Sequence, residues 1–371
     1  MANTMNILVI NPILYTSESG EIERTSSIKD CMIYDLCIGF LELGHRVTLI
    51  GGEPFKPYNN EEYPFEVKWL SCVAPRVFKP NCLPFMPGVY RFVRDNVEHF
   101  DLIISSEVFS LNSLAAYCAA PDKVIIWHEL AKHNAIMKQL PSKIWYGVIA
   151  RLLMKNALVV ARSSEARQFI SRYCGRVGKE VIDHGVNLRL FKPVLNKQDY
   201  FVVCSQLIKR KRIDGIIAKF AQYLKRYDST CHLYIIGKGE LEDALKAQVN
   251  SFHMEKNVTF TGKLSHGQLI PLLSQAMALL VNTEKDNNMV SIVESIATAT
   301  PVVTTEVPLN ASYIKKNQLG IAKNEWNERD LREVVVNGQR FINNCLLYRE
   351  SLSTNRRAEQ FVRVARRNHL V

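Results

Sequence analysis

Short runs of consecutive apolar residues, closed by Gly, Pro, Asn or Asp and followed by stretches with helical spacing, recur along the whole chain. In the first half, NILVI (6–10), HRVTLIGG (45–52), DLIISS (101–106), KVIIWH (123–128) and ALVVARS (157–163) read as strands. CMIYDLCIGFLELG (31–44) reads as an amphipathic helix, with Gly44 where it would stop. The second half repeats the rhythm with YFVVCSQ (200–206), CHLYIIGKG (231–239), NVTFTG (257–262), MALLVNT (277–283) and PVVTT (301–305). Apolar strands alternating with helices predict parallel sheets covered on both faces. VIDHGVNLRLFKPVLNKQD (181–199), rich in turn formers, reads as a seam with a connector near residues 192–199. The expected fold class is α/β: two Rossmann-like, doubly wound domains, 1–195 and 196–349. The basic helical tail, about 350–371, is expected to rejoin the first. Ligands of such sheets bind at the carboxyl ends of the strands, so two facing domains are expected to form a cleft.

The 371 residues suit two domains of ordinary size, and no apolar run is long enough to span a bilayer. The start, MANTMNILVINP, lacks the charged region and cleavage site of a secretory signal. Nine cysteines scattered without paired short spacings fit a reducing compartment, so a cytoplasmic location is expected. They outline neither a zinc site nor a disulfide frame. The formal charge of +11 attracts anions without choosing among phosphate, nucleic acid and an acidic membrane face. There is no recognised nucleic-acid motif, and no Asp-x-Asp pair or His cluster suited to a cation.

Candidate chemistry concentrates in the second half. After MALLVNT the chain passes Asp286, Asn287 and Asn288, and a helix should begin near Met289. The free amides of its first turn, around Asn288 to Val290, offer a seat for a phosphate or sugar oxygen. On that helix Ser291, Glu294, Ser295 and Thr298 form a polar stripe, which periodicity alone reads as a solvated face. Lys211 lies in KRKR, a pattern that by itself describes an exposed basic loop. GKGELE lacks the third glycine of a dinucleotide fingerprint, so no nicotinamide site is indicated. His128 follows the strand KVIIWH and should emerge at the carboxyl end of its sheet.

Five stretches in order resemble the retaining GT-B glycosyltransferases of the group 1, family 4-like type. They are VIDHGVNLRLFKP, SQLIKRKRID, LYIIGKGELEDAL, NVTFTGKLSHGQLIPLLSQAMALLV, and the acidic pair Asp286 and Glu294, eight positions apart and followed by TATPVVTT. The likeness covers most of residues 181–305 and is mainly architectural before that. It implies a GT-B fold and transfer of a sugar from a UDP- or GDP-linked donor to a saccharide or polyprenyl-lipid-linked acceptor, in bacterial surface polysaccharide or glycolipid synthesis. No cofactor and no metal are implied. Lys211, Asp286 and His128 take the catalytic positions. Glu294 is matched to the ribose-binding carboxylate. The remaining donor contacts implied are Asn287, Asn288, Met289, Val290, Arg210, Gln206, Gly237 and Lys263, the last near the base. Ser19 and Gly20, with the neighbouring Glu21, and Glu129 fall where relatives place acceptor contacts. The chain departs from the family pattern where Asp286 replaces the commoner Glu, Asn287 and Met289 replace glycines, Gln206 a diphosphate arginine, Asp183 and His184 the common Pro and Asn, and Ala299 a helix-ending glycine.

Basic and apolar residues interleave in APRVFKPNCLPFMPGVYRFVR (74–94) and AIMKQLPSKIWYGVIARLLMK (135–155). Each reads as ordinary helix amphipathicity or as a face resting on an anionic membrane. Two other function classes stay open: a 2-epimerase-like enzyme using the same nucleotide pocket, and a non-catalytic binder of acidic ligands.

Overall fold

The computed structural model describes residues 4–14, 27–74, 84–131 and 135–371. Ser19, Gly20 and Glu21, and residues 75–83 of the first basic stretch, lie outside them. The chain forms two compact units, residues 1–185 with 354–371, and residues 186–353.

Among the described residues, the first unit is built on seven parallel strands: β1 (Asn6–Ile10), β2 (Arg46–Gly52), β3 (Glu66–Leu70), β4 (Leu102–Ser106), β5 (Val124–His128), β6 (Leu158–Ala161) and β7 (Val177–Val181). Their order is β3-β2-β1-β4-β5-β6-β7. The second unit has six: β8 (Tyr200–Cys204), β9 (His232–Ile236), β10 (Val258–Gly262), β11 (Ala278–Leu280), β12 (Val302–Thr304) and β13 (Gly320–Ala322), in the order β10-β9-β8-β11-β12-β13. Every pairing is parallel. The central strands are buried and mostly apolar because helices cover both faces, with polar residues such as Ser105, Ser106 and His128 at their carboxyl ends. The strand order reverses between β1 and β4, and again between β8 and β11, and these are the places where doubly wound sheets bind ligands.

Three strands, β3, β7 and β13, were not among those expected from the apolar runs, and all three lie at sheet edges. Their residues are mostly half-buried, so they lack the continuous apolar signature.

The units part between Gly185 and Val186 and not near 195. The reason is packing: Phe191 is fully buried in a core of the second unit, and Arg349 holds the Phe191 carbonyl at 2.9 Å. Leu352 joins the same core, so the return crossing falls at Thr354 and not at 350. The last helix, Thr354–Arg367, then packs on helix Met32–Glu42 of the first unit, where Phe361 lies 6.2 Å from Phe40 and edge-on to Trp127 at 5.3 Å. Among the described residues no helix is long and apolar enough to cross a membrane.

Candidate functional site

β8 and β11 are neighbours in the sheet, so the loops that follow them leave from one point. The Arg210 carbonyl ties the two, accepting from the Glu284 amide at 2.8 Å and the Thr283 hydroxyl at 3.1 Å. The single turn Lys209–Lys211 ends at Arg212, whose φ of +51° is a left-handed corner. That corner sends Arg212 out to Asp214 and Glu284 and leaves Lys211 turned inward. Lys211 is only 8% exposed, and its ammonium lies against Oδ2 of Asp286. Arg210 Nη1 reaches the same oxygen at 3.2 Å and the Lys285 carbonyl at 2.8 Å. Three residues singled out in the sequence are thus brought together by the fold.

The glycines after β9 shape this junction. A Cβ on Gly237, at φ +139°, would fall 1.9 Å from the Ser205 carbonyl oxygen, and one on Gly239 would fall 2.4 Å from that of Leu207. Without side chains, the loop lies directly on the backbone of residues 205–207, beside Gln206.

Glu294 sits on helix Val290–Ala297 and is 7% exposed. The polar stripe it belongs to is not solvated, which corrects the expectation from periodicity: Ser291, Ser295 and Thr298 are buried too. Ser295 donates to the Thr300 carbonyl at 2.9 Å, and Thr300 donates to the Leu273 carbonyl at 2.9 Å. These bonds replace water for the hydroxyls. Glu294 instead meets His266, with Nε2 and Oε1 3.2 Å apart. The Cys204 thiol, at the end of β8, records both charges. Burial pushes it up to about 12, Glu294 adds to the rise, and Lys211 opposes it. The carboxylate at 294 and the cation at 211 therefore both act on the thiol at this strand end.

Met289 caps the helix at φ −85°, ordinary extended backbone, so the methionine needs no left-handed torsion. Buried Asn310 fixes it from both sides, accepting from the Met289 amide at 2.9 Å and donating to its carbonyl at 3.1 Å. Asn287 anchors the loop further back, its carbonyl accepting from the Leu309 amide at 3.3 Å, while Asn288 is half-buried and Val290 exposed. Ala299 does occupy the left-handed region, at φ +59°. Lys263 is exposed on the turn after β10, three residues before His266.

His128 and Glu129 belong to a different cluster, in the first unit. His128 ends β5, but its ring is 0% exposed, stacked on Phe169 with Nδ1 2.9 Å from Oε2 of Glu107. The ring thus lies under the surface and not at an open strand end. Glu107, at φ +69°, also accepts the Glu129 amide at 2.7 Å. Burial alone would raise its carboxyl, yet His128, Arg162 and that amide hold it below the ordinary range. Glu129 pairs with Arg162 at 2.9 Å, and Arg162 lies 3.7 Å over Trp127. Neighbouring His184 is held well below its usual pKa by burial and by Arg162 and Arg357, so it is neutral at pH 7.

Two cations, Lys211 and Arg210, face the Asp286 carboxylate at the β8/β11 point, and such cations suit a diphosphate whose anion grows as it departs. Among the described residues, the potential metal ligands Asp199, Asp228 and Cys231 come together at the opposite, amino-terminal end of the strands. Burial and the two carboxylates raise that thiol further from its ligating form.

Residues 188–335 match the family model described as Glycosyl transferases group 1. The match lies within the second unit. Alpha-monoglucosyldiacylglycerol synthase from Streptococcus pneumoniae is 22% identical over 262 residues, 64% of this chain. The match spans 58% of that relative's length. Among solved structures, sucrose-phosphate synthase from Thermosynechococcus elongatus superposes with a TM-score of 0.70 at 16% identity, covering 98% of each chain. Anabaena HepE in complex with UDP and glucose superposes with a TM-score of 0.66 at 12% identity, covering 97% of this chain and 98% of its own. The fold of this chain is GT-B.

The sequence reading did not single out His266 or Glu107. Both act through tertiary contacts, and the one local signal for His266 is its place at the first position of a helix capped by Ser265.

Proposed function

We propose that this protein is a retaining, metal-independent glycosyltransferase. It moves a sugar from a UDP- or GDP-linked donor to a saccharide or lipid-linked acceptor in bacterial surface polysaccharide or glycolipid assembly. The observation that carries the reading is the convergence of Lys211 and Arg210 on Asp286 at the β8/β11 point, with Glu294 buried on the helix that follows β11. Lys211 and Arg210 hold the diphosphate, Glu294 the ribose, and Asp286 with the Asn288 and Val290 backbone the donor's sugar; the Met289 amide, expected to be free, is taken by Asn310. The bond between the anomeric carbon and the diphosphate breaks while the acceptor oxygen bonds that carbon on the same side. The acceptor's proton passes to a diphosphate oxygen. The likeness to a glucosyldiacylglycerol synthase and to a protein crystallised with UDP supports a lipid acceptor and a uridine donor.

The reading includes peripheral attachment to an anionic membrane, at the inner face of the cell membrane. Leu140, Ile144, Val148, Leu152 and Leu153 are exposed along one helical stretch of the first unit. Exposed Lys138, Lys143, Arg151 and Lys155 accompany them, and residues 130–164 contain no Asp or Glu. Apolar side chains set among unopposed cations suit a bilayer carrying anionic lipid.

The test is thermal unfolding of the whole chain with UDP, GDP and their sugars in the presence of EDTA, followed by transfer assays reading the product's anomeric configuration by NMR. Stabilisation by one nucleotide and a retained anomer support the reading. It falls if no nucleotide stabilises the protein, if Glu294→Ala transfers at the parent rate, or if the donor is isomerised with no acceptor present.

A further inference from the structure

Glu294 is held by a residue that the family resemblance does not assign. His266 opens helix His266–Gln275, whose start is fixed by the Gln268 side chain accepting the Ser265 amide at 3.2 Å. Its ring stands edge-on to Phe191, with centroids 5.1 Å apart, and Phe191 is itself immobilised at 0% exposure. From that position Nε2 meets Oε1 of Glu294 at 3.2 Å. Both side chains are largely buried, at 15% and 9% exposure, so water competes weakly for the bond. A carboxylate oxygen only accepts, so Nε2 carries the proton.

We propose that His266 is the positioning residue for nucleoside recognition. Its Nε2–H fixes one oxygen of Glu294 and so directs the other toward the ribose hydroxyls of the donor. This rests on the reading of Glu294 as the ribose-binding carboxylate. A glutamate has three side-chain torsions, and one hydrogen bond from a ring wedged against Phe191 removes most of their freedom before the nucleotide arrives. His266 itself touches no reacting atom. Its loss therefore acts on donor affinity and on recognition of the ribose, and spares the chemical step.

The experiment is calorimetric titration of the full chain with UDP or GDP, whichever binds, and with its 2′-deoxy form, across the parent, His266→Ala, His266→Gln and Glu294→Ala. His266→Ala is expected to weaken the ribonucleotide about tenfold and the deoxynucleotide little, so that discrimination between them collapses. The Gln variant, whose amide can occupy the Nε2 position, recovers most of both affinity and discrimination. In transfer assays KM for the donor rises while kcat holds. Equal weakening of both nucleotides by His266→Ala, or parent affinity in that variant, overturns the proposal. If Glu294→Ala abolishes discrimination while His266→Ala does not, only the role of His266 falls. If Glu294→Ala preserves discrimination, or the parent itself does not discriminate, the ribose reading falls and takes this inference with it. Should His266→Ala fail to fold, the Gln variant decides: affinity and discrimination near the parent's support the role, and equal loss for both nucleotides overturns it.

Discussion

The Lys211 ammonium rests on the Asp286 carboxylate, joining the loops after β8 and β11 across 75 positions of sequence. On the proposed role of Lys211, the Asp286 carboxylate competes with the donor's diphosphate for that cation. Asp286→Asn is therefore expected to tighten binding of the free nucleoside diphosphate about fivefold and to slow transfer. Lys211→Ala is expected to weaken the same ligand about tenfold or more. Titration calorimetry of the two variants checks both directions, and parent affinity in both would separate the pair from the diphosphate.

Gly237→Ala places a methyl carbon on the Ser205 carbonyl in a torsional region that L-residues avoid. The expected loss of stability is about 2–4 kcal/mol, read from denaturant unfolding. A variant as stable as the parent would mean that the β9 loop does not pack on residues 205–207.

Asp183 gives a pH dependence. Burial raises its carboxyl from its ordinary 3.8 to about 7, with a smaller push from Glu129; Arg357, the His184 amide and Arg162 oppose the rise. The folded state then binds more protons than the unfolded chain between about pH 4 and 7. Stability falls as pH rises through that window, and the full penalty is present above it. Asp183→Asn, which can still accept the His184 amide now bonded at 2.6 Å, should be more stable than the parent at pH 8 by about 2–4 kcal/mol. The difference should vanish near pH 4. Unfolding midpoints at the two pH values decide it, and an equal offset at both would remove the titration from the explanation.

The exposed apolar row offers a separable test. Ile144→Glu with Leu152→Glu adds charge to a face that buries nothing in the first unit, so folding and nucleotide affinity should stay at parent levels. Sedimentation with anionic vesicles at low salt should fall several-fold. Unchanged sedimentation of the double variant would exclude this face as the membrane contact.

The ten expected strands all formed, and three edge strands went unread, for one reason. An apolar run announces a strand buried on both faces, whereas β3, β7 and β13 are half-buried and carry no such run. The helix around Glu294 misled in the opposite sense. A stripe of Ser, Glu, Ser and Thr has the spacing of a wet face, and only the neighbouring chain at Thr300 and His266 supplies the partners that allow its burial. His128 was legible as a strand end but not as a buried ring, because Glu107 and Phe169 arrive from elsewhere in the fold.

What the chain's order of residues determined alone was local: the strand and helix rhythm, the division into two α/β units, and the positions of Lys211, Asp286 and Glu294 after strands or on a helix. Periodicity and turn chemistry act over a few residues, so they are readable in one dimension. What the tertiary structure decided was convergence. Lys211 meets Asp286 because the strand order reverses between β8 and β11 and brings the loops after them to one point, and Glu294 meets His266 because the helices after β11 and β10 pack into one core. Burial then sets the charge of Asp183 and His184, because the cost of removing a group from water depends on every segment packed around it.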